Sequence, residues 1–216
     1  MKAVVAGGTG LIGSYLLKAL NKDRDVQSVV ALTRSEQSNS EKVTWKKVDL
    51  NSISEIEKSI KGSNTAFCCL GTTMKNAGSK EAFKQVDKTY VLNFARAAQN
   101  VGINCFALVS AIGADSGSSV FYNKVKGETE KELKKMNFDQ LVIAQPSILL
   151  GPRKEKRLGE KIAQILMQAA APLLLGGFKK YRPIRAKDVA NAMLKSAKNP
   201  SDGALTLTYE ELIAFR

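Results

Sequence analysis

The sequence predicts an α/β fold, a doubly wound parallel sheet with helices on both faces. Three observations predict it. A glycine-rich stretch, residues 7–13, separates a short apolar run from an amphipathic helix pattern. Apolar runs and helical patterns then alternate along the chain, as they do in βαβ units. The run at residues 64–70 is continuously apolar from Ala66 to Leu70, which is typical of a strand buried on both faces.

The expected elements follow in a regular order. The strands are the short β-rich or apolar runs at residues 2–6, 26–33, 43–48, 64–70, 104–110, 141–144 and 204–209. The helices carry an apolar stripe or a capping signal. They are expected at residues 11–20, 52–62, 79–100, 118–136, 159–171 and 187–197. The helical segments that join successive strands are long enough for parallel crossovers, and they predict a parallel sheet of Rossmann type.

Length and composition predict one domain over residues 1–216. The chain is 44% hydrophobic and 25% charged, which is ordinary for a globular protein. Residues from about 150 onward are expected to form a small substrate-cleft portion, and segment 159–175 to be core rather than a lid or a homodimer face. No stretch is long and apolar enough to span a membrane, and no signal-peptide pattern is found.

The net charge of +13 suggests an anionic ligand rather than nucleic acid. The lysines are scattered, and the basic clusters at 153–157 and 179–182 are interrupted by acidic or aromatic residues. The absence of histidine excludes Ser-His and Cys-His nucleophile pairs and the commonest zinc sites, so no metal site is predicted. Cys68, Cys69 and Cys105 form no C-x-x-C pair and are expected to be buried thiols of a cytoplasmic protein.

The glycine stretch is compatible with two registers. Gly8, Gly10 and Gly13 read as G-x-G-x-x-G, whereas Gly7, Gly10 and Gly13 read as G-x-x-G-x-x-G. Either register lets the backbone turn tightly between strand and helix. The N–H groups at the start of the helix then face an anion, so the stretch predicts a dinucleotide pyrophosphate site.

The ends of the second and third expected strands indicate which dinucleotide is bound. Arg34 stands where NAD-binding folds usually carry an acid, and its guanidinium suits a 2′-phosphate. NADP(H) is therefore favoured, although the nearby Glu36 keeps NAD(H) possible. Asp49 ends the third strand, where it either accepts a hydrogen bond from the adenine amino group or caps the helix that begins near Ser52.

Tyr122 and Lys126 are four residues apart on an expected helix and therefore share a face. That face lies beside the apolar stripe of Phe121 and Val125, which places both polar side chains at the edge of a cleft. Ser110 ends the strand before this helix. Lowering the pKa of a tyrosine from about 10 to about 7 requires roughly 4 kcal/mol of preferential phenolate stabilisation, which a lysine ammonium helps to supply.

Four segments in this order, "CLGTT", "LVSAIGAD", Tyr122-x-x-x-Lys126 and "AQPSILLGPR", follow the glycine loop and Asp49. Together they resemble an atypical short-chain dehydrogenase/reductase, and more narrowly the oxidoreductases similar to the Tat-interacting protein. The resemblance extends over about residues 4–210. It implies the register that begins at Gly7, a general acid/base role for Tyr122, a ribose contact for Lys126 and a carbonyl-orienting role for Ser110.

The expected cofactor contacts come from the glycine loop, the strand ends and the segments of the resemblance. They are Gly7, Thr9, Gly10, Leu11, Ile12, Gly13, Arg34, Asp49, Leu50, Leu70, Gly71, Thr72, Lys126, Pro146 and Ile148. The chain departs from its relatives at Ser110-Ala111, where many have two serines and the second is catalytic. Either Ser110 takes that role, or a serine of the next loop does (Ser116, Ser118 or Ser119), or the site lacks it.

Three functions remain compatible with the sequence. The first is an NADP(H)-dependent oxidoreductase acting on a small carbonyl or alcohol. The second is an NADP(H)-binding regulator or sensor that binds a protein partner and has little turnover, which the Ser110-Ala111 pair favours. The third is a nucleotide-sugar epimerase or dehydratase, ranked last because only about 65 residues follow Ser147 to hold a sugar nucleotide.

Overall fold

The structure is a computed structural model that describes residues 1–35, 37–152, 176–199 and 202–215. Its main sheet has seven strands in the order β3-β2-β1-β4-β5-β6-β9, and every neighbouring pair is parallel. Two short strands, β7 and β8, form a separate parallel pair. The strands are β1 Lys2–Ala6, β2 Ser28–Thr33, β3 Val43–Lys47, β4 Thr65–Cys68, β5 Cys105–Val109, β6 Gln140–Ala144, β7 Leu149–Leu150, β8 Ile184–Arg185 and β9 Gly203–Leu207.

The helices lie on both faces of this sheet, as the sequence predicts. They are α1 Leu11–Lys22, α2 Ile53–Ile60, α3 Met74–Ala77, α4 Lys80–Lys84, α5 Tyr90–Asn100, α6 Phe121–Lys134, α7 Ala186–Lys198 and α8 Tyr209–Ile213. A π-turn, Gln85–Thr89, joins α4 to α5, and a 3-10 turn spans Gly176–Tyr181.

Alternate residues of the central strands enter two separate cores. Val5 packs in the layer that contains α1 and α7, whereas Val4 packs in the layer that contains α2 and α5. Both valines are fully buried. This alternation is the side-chain period of a strand with helices on both faces, and it confirms the doubly wound arrangement.

The expected helix over residues 79–100 differs from the structure in phase. An uninterrupted helix would bury Val86 and Tyr90 on the stripe that begins at Phe83. The π-turn adds one residue to the turn, so that Asp87 and Val91 are buried instead and Val86 and Tyr90 are only partly buried. A π-turn inside a helix is commonly found at a functional site, and this one brings a carboxylate inward.

Other elements depart from the sequence expectations in smaller ways. Helix α3, strands β7 and β8 and helix α8 were not anticipated, because each has five residues or fewer and shows no clear period. The final strand ends at Leu207, and Thr208 with Glu211 forms a capping box that starts α8. The helix expected at 159–171 lies outside the described residues, as does the basic cluster at 153–157.

Candidate functional site

The glycine loop follows β1 and is packed so tightly that two of its glycines have no room for a side chain. Gly7 has φ +82°, and a Cβ there would lie 2.5 Å from the backbone carbonyl carbon of Cys69. A Cβ on Gly13 would lie 2.2 Å from the carbonyl oxygen of Gly7. At Gly8 the nearest obstacles are the side chains of Leu17 and Trp45. The backbone therefore requires glycine at positions 7 and 13, which favours the register that begins at Gly7.

The N-terminus of α1 is open to an anion. Gly10 is its N-cap residue and supplies no side chain to the free N–H groups, and no acidic side chain lies in the first turn. The first intrahelical bond of the cap runs from the Ser14 N–H to the Gly10 carbonyl oxygen at 2.9 Å. The Gly10 N–H donates to the Gly7 carbonyl oxygen at 3.0 Å, so the N–H groups that face a pyrophosphate, together with the positive end of the helix dipole, are those of Leu11, Ile12 and Gly13.

A cleft of about 790 Å³ opens above this loop at the carboxyl edge of the sheet. Ligands of doubly wound folds bind at this edge. Most of the expected site residues line it, namely Thr9, Gly10, Leu11, Ile12, Leu70, Gly71, Thr72, Ser110, Tyr122, Lys126 and Pro146. Gly7, Gly13 and Ile148 are not among its described lining residues.

A second cavity of about 460 Å³ is lined by the three remaining expected contacts, Arg34, Asp49 and Leu50. Arg34 is exposed, and Lys47 lines the same cavity. Asp49 accepts hydrogen bonds from the Asn51 side-chain and backbone nitrogens, both at 2.9 Å. It does not cap α2, because the N-cap of that helix is Ser52. Glu36 lies outside the described residues.

Only one of the two hydrogen bonds of the capping box expected at Ser52 and Glu55 forms. The Ser52 hydroxyl accepts a hydrogen bond from the Glu55 N–H at 3.3 Å, as expected. The Glu55 carboxylate instead accepts from the Asp49 N–H at 3.0 Å. Glu55 therefore anchors the backbone of Asp49 at the wall of the second cavity, which it also lines.

Lys126 forms a buried ion pair with a residue that the sequence analysis missed. Its Nζ lies 2.8 Å from Oδ1 of Asp87, and the two side chains are 6% and 0% exposed. Burial by itself lowers the pKa of Lys126, but the attraction of Asp87 and of Tyr122, with the hydrogen bond to Asp87, raises it above its ordinary value. Lys126 is therefore a stable cation at the cleft wall.

Tyr122 lies one helical turn before Lys126 and packs against Phe83 of α4. The ring centroids of Tyr122 and Phe83 are 5.6 Å apart and their planes are inclined by 54°. This tilted contact is a favourable aromatic geometry. It holds the tyrosine ring at the cleft, which the tyrosine lines together with Lys126.

Ser110 lies at the cleft, but its hydroxyl already has a partner. It donates a hydrogen bond to Oε1 of Glu130, a buried carboxylate that also accepts from the Gln145 amide at 2.9 and 3.0 Å. Ala111 lines the cleft beside it. None of the alternative serines, Ser116, Ser118 and Ser119, is among the described residues that line the cleft.

The three cysteines are free, as the sequence predicts. Burial raises the pKa of the Cys68 and Cys105 thiols to about 12 and raises that of Cys69 as well. Thiols in such surroundings are poor nucleophiles, so although Cys69 lines the cleft, its role there is to fill space.

The functional residues that the sequence analysis missed are of two kinds. Asp87 and Glu130 hold site residues from elements distant in sequence, and neither belongs to a local motif. Trp45, the only tryptophan of the chain, lines the cleft from β3 beside Gly8. The signal in the sequence is its position in the third strand, four residues before Asp49, which is itself an expected site residue.

Comparisons with known proteins show which family the chain belongs to. A family described as NAD(P)H-binding matches residues 7–200. Protein FMP52, mitochondrial, from Candida albicans is 36% identical over 211 residues, which cover 95% of this chain and 91% of that protein. Protein HTATIP2 from Rattus norvegicus is 32% identical over 213 residues, covering 97% and 86%. Because FMP52 is named mitochondrial, the cytoplasmic location expected from the cysteines stays a prediction.

Solved structures share the fold at low sequence identity. MoeE5 in complex with UDP-glucose and NAD superimposes with a TM-score of 0.73 at 14% identity, covering 99% of this chain and 80% of that one. A UDP-glucose 4-epimerase from Thermotoga maritima gives 0.72 at 16% identity, covering 96% and 77%. At such identity the likeness shows the fold alone.

Within the described residues, no helix combines the length and the apolarity that crossing a membrane requires. The family match and the relatives together establish that the chain belongs to the NAD(P)H-binding family of Rossmann-fold proteins.

Proposed function

We propose that the protein is an NADP(H)-dependent oxidoreductase that transfers hydride to or from a small carbonyl or alcohol substrate. One observation carries the proposal: Tyr122 and Lys126 line the same cleft as the uncapped N-terminus of α1. A protein that only binds a nucleotide needs the helix terminus alone. A proton-coupled hydride transfer also requires an acid–base pair beside the nucleotide.

The cleft residues fit a dinucleotide. Gly7 and Gly13 bring the loop backbone close to the helix terminus, where an added side chain would meet backbone atoms. Leu70, Gly71 and Thr72, which follow β4, line the same cleft. Arg34 and Lys47 line the second cavity together with the carboxylates Asp49 and Glu55, so the support for a 2′-phosphate, and therefore for NADP(H) over NAD(H), comes from the geometry of the Arg34 guanidinium.

Each polar residue has a role that its surroundings support. The cofactor, when bound, supplies or accepts the hydride. Tyr122 donates a proton to the substrate oxygen or removes one from it, and Lys126 stabilises the phenolate and holds a ribose hydroxyl. Ser110 orients the substrate oxygen when its hydroxyl turns from Glu130 to the substrate, while Gln145 continues to satisfy Glu130.

A second candidate function is a regulator that binds NADP(H) with little turnover. The observation that favours it is the hydrogen bond from Ser110 to Glu130, because it occupies the only proton of that hydroxyl, and Ala111 offers none. Tyr122 would then act on the substrate oxygen without a second donor, and the loss of one such donor lowers the rate by about 100-fold or more. A nucleotide-sugar reaction has no comparable support, since the epimerase likeness concerns the fold.

The oxidoreductase proposal is tested by following NADPH oxidation with a panel of small aldehydes and ketones. The wild-type protein should consume NADPH with at least one of them, and Tyr122→Phe should slow that reaction by about 100-fold or more because the proton donor is lost. Tyr181→Phe is the matched control, since Tyr181 is not among the described residues that line the cleft. Equal rates for wild type and Tyr122→Phe would overturn the proposal, and NADPH binding without turnover would support the regulator.

A further inference from the structure

Asp87 is a fully buried carboxylate whose two oxygens are both used at the cleft. Oδ1 lies 2.8 Å from Nζ of Lys126, and Oδ2 accepts a hydrogen bond from the Thr72 N–H at 2.8 Å. Asp87 itself lines the cleft. A buried ion pair gains stability only when additional hydrogen bonds satisfy the charged groups. Here Oδ2 receives one from Thr72, whereas Oδ1 has no hydrogen-bond partner among the described residues and faces the Lys126 ammonium as an ion pair.

The ion pair connects three segments that form the cleft wall. Asp87 lies in the π-turn, Lys126 lies in α6, and Thr72 lies in the loop that follows β4. The Thr129 hydroxyl of α6 donates to the backbone carbonyl of Asp87 at 3.1 Å, which fixes the π-turn against that helix. Gly71 covers the pair, because a Cβ there would lie 3.4 Å from Oδ1 of Asp87 and 3.7 Å from Nζ of Lys126.

Few other charges act on this pair. Tyr122 faces Lys126 from the same helix, and Cys68 faces the pair from β4. The Cys68 thiol is neutral at ordinary pH, since burial raises its pKa to about 12. Glu130 lies one turn beyond Lys126 in α6 and is held by Ser110 and Gln145. Lys88 and Glu128 pair with each other at 2.6 Å across the π-turn and α6, and so add no net charge.

We propose that Asp87 is the positioning residue of the acid–base pair, holding the Lys126 ammonium under Gly71 and offsetting the positive charge that this ammonium presents to Tyr122. The proposal rests on the acid–base role proposed above for Tyr122. The new element is that two opposite charges act on Tyr122 together. The Asp87 carboxylate partly cancels the effect of the Lys126 ammonium on the tyrosine. The charge that the cleft wall presents to Tyr122 is thereby set by a residue that contributes no group to the substrate.

A charge cycle on the ligand-free protein tests this proposal. The four proteins are wild type, Asp87→Asn, Lys126→Gln and the double variant, whose site charges are zero, +1, −1 and zero when Lys126 and Asp87 are ionised. Each substitution preserves approximate side-chain size, and the introduced asparagine retains an oxygen for the Thr72 N–H. The ionisation of Tyr122 is followed by ultraviolet absorbance of the phenolate, as the difference between each protein and the same protein carrying Tyr122→Phe. This subtraction removes the other four of the five tyrosines.

The midpoint of Tyr122 ionisation should follow the site charge. We expect Asp87→Asn to lower it by about 1 pH unit, Lys126→Gln to raise it by about 1 unit, and the double variant to return it near the wild-type value. A purely structural role for Asp87 would not produce shifts of opposite sign that cancel. If Asp87→Asn does not fold, the comparison of Lys126→Gln with the double variant still isolates the charge of Asp87, because the double variant leaves no unpaired buried charge.

Equal midpoints in Lys126→Gln and the double variant would overturn the proposal, as would an unchanged midpoint in a folded Asp87→Asn protein. Folding of each variant is checked by circular dichroism and thermal unfolding. The phenolate absorbance is measured without cofactor or substrate. A negative result therefore rejects the role proposed for Asp87, whereas the proposed oxidoreductase function is tested separately by NADPH consumption. A charge cycle that behaves as expected in a protein that reduces no carbonyl would retain this proposal and reject the oxidoreductase.

Discussion

Gly7 is the residue at which the loop depends most on the absence of a side chain. Its φ of +82° and the 2.5 Å approach to the Cys69 backbone act together. Gly62 provides the matched control, since it has φ +86° but no atom within 4 Å of an added Cβ. Gly7→Ala should lower the free energy of unfolding by about 2–4 kcal/mol, and Gly62→Ala by about 1 kcal/mol. Urea unfolding measures both, and equal losses would contradict the close packing of the loop.

Individual site residues differ in how far the sequence could predict them. The positions of Arg34, Tyr122 and Lys126 at cavity walls follow from strand ends and helical spacing, and the structure places all three there. The partners Asp87 and Glu130 could not be found in this way. Each contacts its site residue through tertiary packing across distant segments, and a carboxylate on an amphipathic helix ordinarily indicates a solvated face.

The π-turn is the element that converts a regular helix into part of the site. By inserting one residue it turns Asp87 inward, and the Thr129 hydroxyl holds the turn through the Asp87 carbonyl oxygen. Hydrophobic periodicity cannot predict such a turn, because the pattern on either side is helical and the change of phase is only one residue. The expected helix was therefore correct in its existence and wrong in its phase.

Removing the Thr129 hydroxyl tests this account of the π-turn. Thr129→Val keeps the shape of the side chain but removes the one hydroxyl proton, which is shared between the carbonyl oxygens of Val125 at 2.8 Å and Asp87 at 3.1 Å. We expect amide hydrogen exchange to accelerate across Gln85–Thr89, by roughly fivefold or more for a loss of about 1 kcal/mol. Thr129→Ser retains the hydroxyl and serves as the control. Acceleration in both variants alike would show that packing, rather than the hydrogen bond, holds the turn.

At the scale of the whole molecule, the doubly wound parallel sheet was predictable because the elements are consistent with one another. Each of the strands β1 to β5 is followed by a helix or a loop that returns the chain to the amino edge, and all six strand pairings of the main sheet are parallel. The short pair β7–β8 was not predictable, because it joins residues on either side of segment 153–175. Short strands of this kind are specified by their tertiary partners rather than by local pattern.

The net charge of +13 affects how cofactor binding must be measured. A basic surface attracts any polyanionic nucleotide at low ionic strength, so affinity alone does not identify the site. We propose that Arg34 distinguishes the 2′-phosphate of NADPH from the 2′-hydroxyl of NADH. Arg24 is the matched control, because it is an exposed arginine between α1 and β2 and is not among the described residues of either cavity.

Isothermal titration calorimetry of NADPH and NADH against wild type, Arg34→Ala and Arg24→Ala measures whether Arg34 makes this distinction. Wild type should bind NADPH more tightly than NADH. Arg34→Ala should weaken NADPH by about 10-fold or more, since a charge-assisted hydrogen bond contributes roughly 1.5–3 kcal/mol, and should leave NADH within about twofold. Arg24→Ala should retain the wild-type preference. Equal affinities of wild type for the two nucleotides would contradict NADP(H) as the cofactor, and no binding of either at millimolar concentration would contradict the account of the cleft as a whole.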